Sequence, residues 1–291
     1  MSVLHEMLSG GGFSGWYYPL TNTSTDPTSF GISSTLWTPP PGFVFVPNDG
    51  IYCNAPITDM KFMFYDSTIN DPDLLLWDVS TVTSMKGTFG DCASFNQPIG
   101  SWDMSNVTTT EGMLSGCSVF NQPIGSWDMS NVTSMTNMLS YADAFNQPID
   151  SWDTSSATNM RGLFQGSDTF NQPIGSWDTS NVTNMSHMWF DSNSFNQDIS
   201  SWDTSNVTDM SLMFWGADAF NQDISSWVTN NVTDMTSMFM SASAFNQDLS
   251  VWITGLTFQP SNFSSFGGTP FGVNANGMKP YLSDGITQIT T

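Results

Sequence analysis

Apolar residues return along this chain at a fixed step. Trp77, Trp102, Trp127, Trp152, Trp177, Trp202, Trp227 and Trp252 lie 25 residues apart, and Phe95, Phe120, Phe145, Phe170, Phe195, Phe220 and Phe245 keep the same interval. No insertion or deletion breaks either run. One period, Phe170 to Ser194, reads FNQPIGSWDTSNVTNMSHMWFDSNS. Its apolar positions Phe170, Ile174, Trp177, Val182, Met185 and Met188 recur as Phe195, Ile199, Trp202, Val207, Met210 and Met213. A single unit of this length cannot bury such a set, whereas stacked units turn it into continuous apolar columns. The pattern predicts a repeat solenoid of eight 25-residue coils, built from short parallel strands and short helical turns.

Spacing inside the coil gives a local reading. Ile174 and Trp177 flank Gly175 and Ser176 in a short extended run. Asp178-Thr179-Ser180 reads as an Asx-type turn, its carboxylate accepting backbone N–H groups. Asn181-Val182-Thr183 alternates polar, apolar, polar, which suits a very short strand with Val182 inside. Val182, Met185 and Met188 step by three, which suits a helical or 3₁₀ turn. Parallel strands stacked at ~4.8 Å would make the eight-coil array roughly 34 Å long.

The array runs over residues 57–255, with Ile57-Thr58-Asp59-Met60 opening a degenerate first unit. Residues 1–56 share none of the repeat but are rich in aromatics, among them Phe13, Trp16, Trp37 and Phe45, and are expected to cap the first coil and anchor the protein to a partner. Residues 256–291 carry Phe258, Phe263, Phe266 and Phe271 and are expected to form a C-terminal cap and tail. Terminal coils of a stacked array need such caps, because they expose apolar columns and an open edge.

The unit F-N-Q-x-I-x-x-W-D-x-S-N-V-T-x-M-x-x-M-F resembles the 25-residue repeat of the BspA-type leucine-rich-repeat surface proteins. That repeat is also common in Mycoplasma lipoproteins and in some phage and algal-virus genes. The resemblance implies leucine-rich-repeat-like coils, surface display and adhesion, and no enzyme activity.

Several polar residues are periodic too. Asp78, Asp103, Asp128, Asp153, Asp178 and Asp203 each follow the coil's Trp. Such a column is either a cation-binding row or a set of turn caps; calcium needs several carboxylates converging on one point, which favours caps. Asn106, Asn131, Asn181, Asn206 and Asn231 precede Val-Thr; these N-x-T triplets fit hydrogen bonding along a column better than glycosylation. A second column, Asn96, Asn121, Asn146, Asn171, Asn196, Asn221 and Asn246, is expected to hold the turn after Phe. Thr183, Thr208 and Thr233 belong to an outward Thr column, a candidate ligand- or ice-binding surface. Cys92 and Cys117 share one coil position, as two buried thiols or an inter-coil disulfide. Trp189 and Trp215 depart from the Trp period and are the candidate exposed aromatics for sugar or protein contact.

Charge narrows the partners. The net charge is −22, with 26 acidic residues against four basic ones: Lys61, Lys86, Arg161 and Lys279. Binding nucleic acid by phosphate neutralisation, or attraction to an anionic membrane, needs cations this chain does not carry. No apolar run approaches membrane-span length. Met1 to Glu6 lacks a basic n-region and does not read as a secretory signal, which points to a virion component, to export by another route or to the mature part of a longer precursor. No catalytic constellation, phosphate loop or zinc spacing appears, and neither a cofactor nor a metal is expected. The combined expectation is a non-enzymatic, surface-exposed structural or binding protein. The preferred setting is the virion surface, as a tail fibre, appendage or capsid decoration; the alternative is a cellular adhesin or envelope protein. Its expected partners are proteins held through residues 1–56 and a glycan or host receptor. A homo-oligomer is compatible with the sequence.

Overall fold

The computed structural model describes residues 58–69, 74–75, 77–249 and 251–252, together with the backbone of 43–46 and 50–53. The expected C-terminal cap and most of the N-terminal segment lie outside the described residues. Within the latter, β1 (Phe43–Val46) and β2 (Gly50–Cys53) pair antiparallel, with Phe43 opposite Cys53 and Val46 opposite Gly50.

From residue 58 the chain is a repeat fold in which each coil lies against the next. Backbone N–H groups of Met160, Gly162, Phe164 and Gly166 donate to the carbonyls of Asn184, Ser186, Met188 and Phe190 in the following coil. Between them, Leu163, Gln165 and Ser167 donate locally to Met160, Gly162 and Phe164. A reversed bond that recurs from coil to coil, such as Thr183 N–H to the Thr158 carbonyl, completes the ladder. Backbone groups enclosed by the stack thus find partners without a regular sheet or helix.

This geometry needs a special backbone. In every coil two residues four apart adopt positive φ, as Gly162 (59°) and Gly166 (66°) do. A left-handed residue at every fourth position turns every second N–H group to one side, where it meets the next coil's carbonyls. The two expected secondary elements are correspondingly reduced. The parallel strands are single-residue bridges, Asp59–Ser84–Thr109–Ser134–Asn159–Asn184–Asp209–Asp234. The Met185–Met188 stretch closes an i→i−3 bond but is no 3₁₀-helix, because His187 at φ 59° interrupts it. Ile174–Trp177 is not extended: Trp177 N–H donates to the Ile174 carbonyl and closes a turn. A Cβ on Gly175 inside that turn would lie 2.7 Å from the Asp198 carbonyl oxygen of the next coil, so a side chain here needs a local shift of the kind that Asp150 and Ser200 require at the same position of the neighbouring coils.

The core is the set of columns. Phe120, Phe145, Phe170 and Phe195 are fully buried and stack on one another, with centroids 5.9 Å apart between Phe145 and Phe170 and planes within 8°. The Trp column stacks likewise, 5.9 Å between Trp152 and Trp177. Each indole N–H reaches back to a carbonyl of the preceding coil: Trp177 to Ile149 at 3.0 Å, Trp202 to Ile174 at 3.1 Å. A buried indole is thereby satisfied while its rings supply dispersion and apolar burial.

Polar columns tie the outside of the stack. The Asn171 side-chain oxygen accepts from the Asn196 N–H and the Gln197 amide, each at 3.0 Å. This Asn column therefore bridges coils rather than merely holding the turn after Phe. Asn181 Nδ2 donates to the Ser155 carbonyl at 2.8 Å, so this column bonds to backbone and not side chain to side chain. Asp178 accepts the Ser180 N–H at 2.9 Å, the Asx turn read from sequence, and Asp103, Asp153 and Asp203 repeat it. Cys92 and Cys117 are buried free thiols whose Sγ atoms donate to the carbonyls of Phe64 and Phe89.

Candidate binding face

Eight copies of one coil allow each position to be compared within the molecule. The columns that hold the stack barely vary. The stretch around the positive-φ residues varies most, and it gathers the chemistry the rest of the surface lacks. Lys61, Lys86 and Arg161, all the cations of the array, share one coil position, and the next position holds Phe62 and His187. Tyr65, Phe190 and Trp215 share a third, and Tyr141 follows in a fourth. Elsewhere the outer surface is mainly Ser, Thr, Asn, Gln and Asp.

Glycine explains how large side chains fit there. A Cβ on Gly166 would lie 2.4 Å from the Tyr141 ring, and one on Gly87 would lie 2.2 Å from the Phe62 ring. Each ring leans over a bare backbone in the following coil. Tyr141 is held in place by Gln165, whose amide donates to its hydroxyl at 2.8 Å. Tyr65 donates to the Asp91 carboxylate, and this bond raises its pKa to about 12.

The densest group spans three coils. Arg161 Nη1 donates to Ser186 Oγ and to His187 Nδ1, each at 2.9 Å. Burial and the neighbouring Arg161 charge lower the His187 pKa, against the opposing effect of Asp209; because a guanidinium can only donate, Nδ1 accepts and the ring proton sits on Nε2. The His187 ring lies 5.7 Å from Phe190, which stacks on Trp215 at 4.5 Å with planes 10° apart. Leu212, half-buried, closes the backbone turn below Trp215. His187 (φ 59°) and Leu212 (φ 56°) occupy a position of positive φ that is held by Gly87, Gly112 and Gly162 in three other coils and by Phe62, Asn137 and Ser237 in the rest. A side chain there costs roughly 1–2 kcal/mol of backbone strain. The chain carries this strain at His187 and Leu212, beside Phe190 and Trp215, as it also does at Phe62, Asn137 and Ser237.

The sequence-derived candidates divide around this group. Trp215 is half-buried and belongs to it. Trp189 does not: it is fully buried, filling the core column that holds Phe164, Phe214 and Phe239 in other coils. One residue of offset separates the two, and here one residue changes the side chain from inward to outward. Thr183, Thr208 and Thr233 are exposed as expected, but on a different column, and their hydroxyls donate to the preceding coil's carbonyls at 3.0–3.1 Å. Arg161, His187, Phe190 and Leu212 escaped the sequence reading. The signal that could have found them is the confinement of every array cation to one coil position. Among the described residues no group of three or more His, Cys, Asp or Glu side chains is arranged to hold a metal ion.

The repeat array matches the family described as Mycoplasma protein of unknown function, DUF285, over residues 52–152 and 140–252. The chain belongs to this family, in keeping with its BspA-type leucine-rich repeats. No curated protein matches the chain. Among solved structures it is similar to a leucine-rich repeat protein from Bacteroides ovatus, 11% identical over 72% of this chain and 79% of that one, with a TM-score of 0.24. At that score the likeness carries no weight for the fold.

Proposed function

We propose that this is a non-enzymatic, surface-exposed repeat protein whose stack of leucine-rich-repeat-like coils presents the variable face to a binding partner. The supporting observation is a division of labour. Invariant columns spend their polar groups on coil-to-coil hydrogen bonds, whereas the Arg161–His187–Phe190–Trp215 group departs from the repeat and carries backbone strain. Binding and catalysis concentrate where a regular scaffold is locally broken. The preferred setting is the virion surface, with residues 1–56 as the anchor and the array facing outward. A cellular envelope is the second reading, favoured by a family description that names Mycoplasma. Immunogold electron microscopy of the source material, with an antibody to the array, separates them. Label on virus particles supports the virion reading; label on cells with bare particles supports the envelope reading; label confined to the cell interior removes both.

A further inference from the structure

We infer that the strip from Arg161 to Trp215 is a recognition site for a saccharide bearing a carboxylate. This rests on the reading of the variable face as a binding surface. The first argument is hydrogen-bonding capacity. Ladder side chains such as Asn171, Asn181 and Thr183 are committed to neighbouring coils. In the strip, Arg161 commits Nη1 to Ser186 and His187, while Nε and Nη2 have no partner among the described residues. Nor does the Trp215 indole N–H, and His187 Nε2–H is likewise unspent. The strip therefore offers three unspent donor groups to an acceptor-rich ligand.

Charge supplies the second argument. Lys86 is neutralised by Glu111 at 2.8 Å, whereas Arg161 faces no carboxylate within ion-pair distance among the described residues. An anionic group completes it through the planar fork that suits a carboxylate. The protein's net charge of −22, with Asp191 and Asp209 beside the strip, disfavours a densely charged polyanion such as nucleic acid or a heavily sulfated chain.

Size is the third. The strip crosses three coils, about 10–15 Å at strand-like spacing. A stable protein interface engages roughly 20–30 residues a side. Arg161, His187, Phe190, Leu212 and Trp215 suit two or three sugar rings instead, the apolar C–H faces packing on the half-exposed aromatic carbons.

The test is calorimetric titration of the full chain with trigalacturonic acid and with its methyl ester, which keeps the rings and removes the charge. The acid should bind at least roughly tenfold more tightly than the ester. Arg161→Gln should bring the acid down to the level of the ester, and Trp215→Ala should abolish both. Arg161→Gln keeps the proposal testable if Trp215→Ala fails to fold. Equal binding of acid and ester, or tight binding unchanged in both variants, overturns the proposal. So does absence of any binding by the parent. If the parent binds neither sugar but Arg161→Gln weakens attachment to the labelled surface, the strip contacts a protein: the saccharide fails while the surface reading stands.

Discussion

The indole N–H of Trp177 donates to the backbone carbonyl of Ile149 at 3.0 Å, across a full coil and three residues beyond it. Trp189, twelve residues on and equally enclosed, has an indole N–H with no partner. One substitution therefore has two consequences. Trp177→Phe removes one of two donors from the Ile149 carbonyl, which keeps the Trp152 N–H, and leaves a void, and should cost about 2–4 kcal/mol. Trp189→Phe leaves a similar void but removes an unsatisfied donor, which offsets it, and should fall within about 1 kcal/mol of the parent. Denaturant unfolding of both variants checks this; equal losses would contradict it.

Thr110 stands in a buried column where the other seven coils hold methionine, Met85 before it and Met135 after it. Its hydroxyl is buried without a partner. Thr110→Met adds apolar burial and removes the orphan hydroxyl, and should stabilise the protein by about 1–2 kcal/mol. A fall in stability would mean that the neighbouring coils have closed around the smaller side chain.

These two sites show how far the sequence could be read. The Trp, Phe, Asn and Gln columns were legible because a 25-residue period leaves one physical explanation, stacking. The Asx turn at Asp178 was legible because Asp-x-Ser is a local signal. The strands and helical turn were overstated. Steps of three from Val182 to Met188 fit a 3₁₀ turn, but glycines four apart at 162 and 166 reported a left-handed backbone that no helix tolerates. Trp189 was misplaced because its departure from the Trp period hid its membership of the Phe164 column.

Burial raises the Cys92 pKa to about 11 and pushes Cys117 higher still, with each thiol donating to a backbone carbonyl. Since the thiolate is the nucleophile, both should resist alkylation in the native protein at pH 8 and react fully in denaturant. Thiol counting by mass spectrometry checks this. Rapid native labelling, or a Cys92–Cys117 bridge in protein purified under air, would contradict it.

The exposed turn-capping carboxylates Asp103, Asp153 and Asp203 have pKa values below the ordinary 3.8, through bonds from Ser105, Ser155 and Ser205. A depressed folded pKa contributes stability above the unfolded value and loses it as pH falls through the folded one. Asp143, raised by burial and by Asp168, acts in the opposite sense, and so does relief of the net negative charge. With about 0.5 M salt to screen that repulsion, the unfolding midpoint should hold from pH 7 to 5 and fall below about pH 4. A midpoint rising steadily into acid would show that repulsion outweighs the caps.

The central claim is that the invariant columns hold the stack while the variable face carries strain in order to display side chains. The melting temperature of the double variant His187→Gly/Leu212→Gly tests it most directly. Glycine relieves about 1–2 kcal/mol of left-handed strain at each position against an unfolded-chain entropy cost of about 0.5–1 kcal/mol. The variant should melt at or above the parent temperature. A drop of several degrees would mean that these side chains hold the stack together, and the separation of scaffold from binding face would fail.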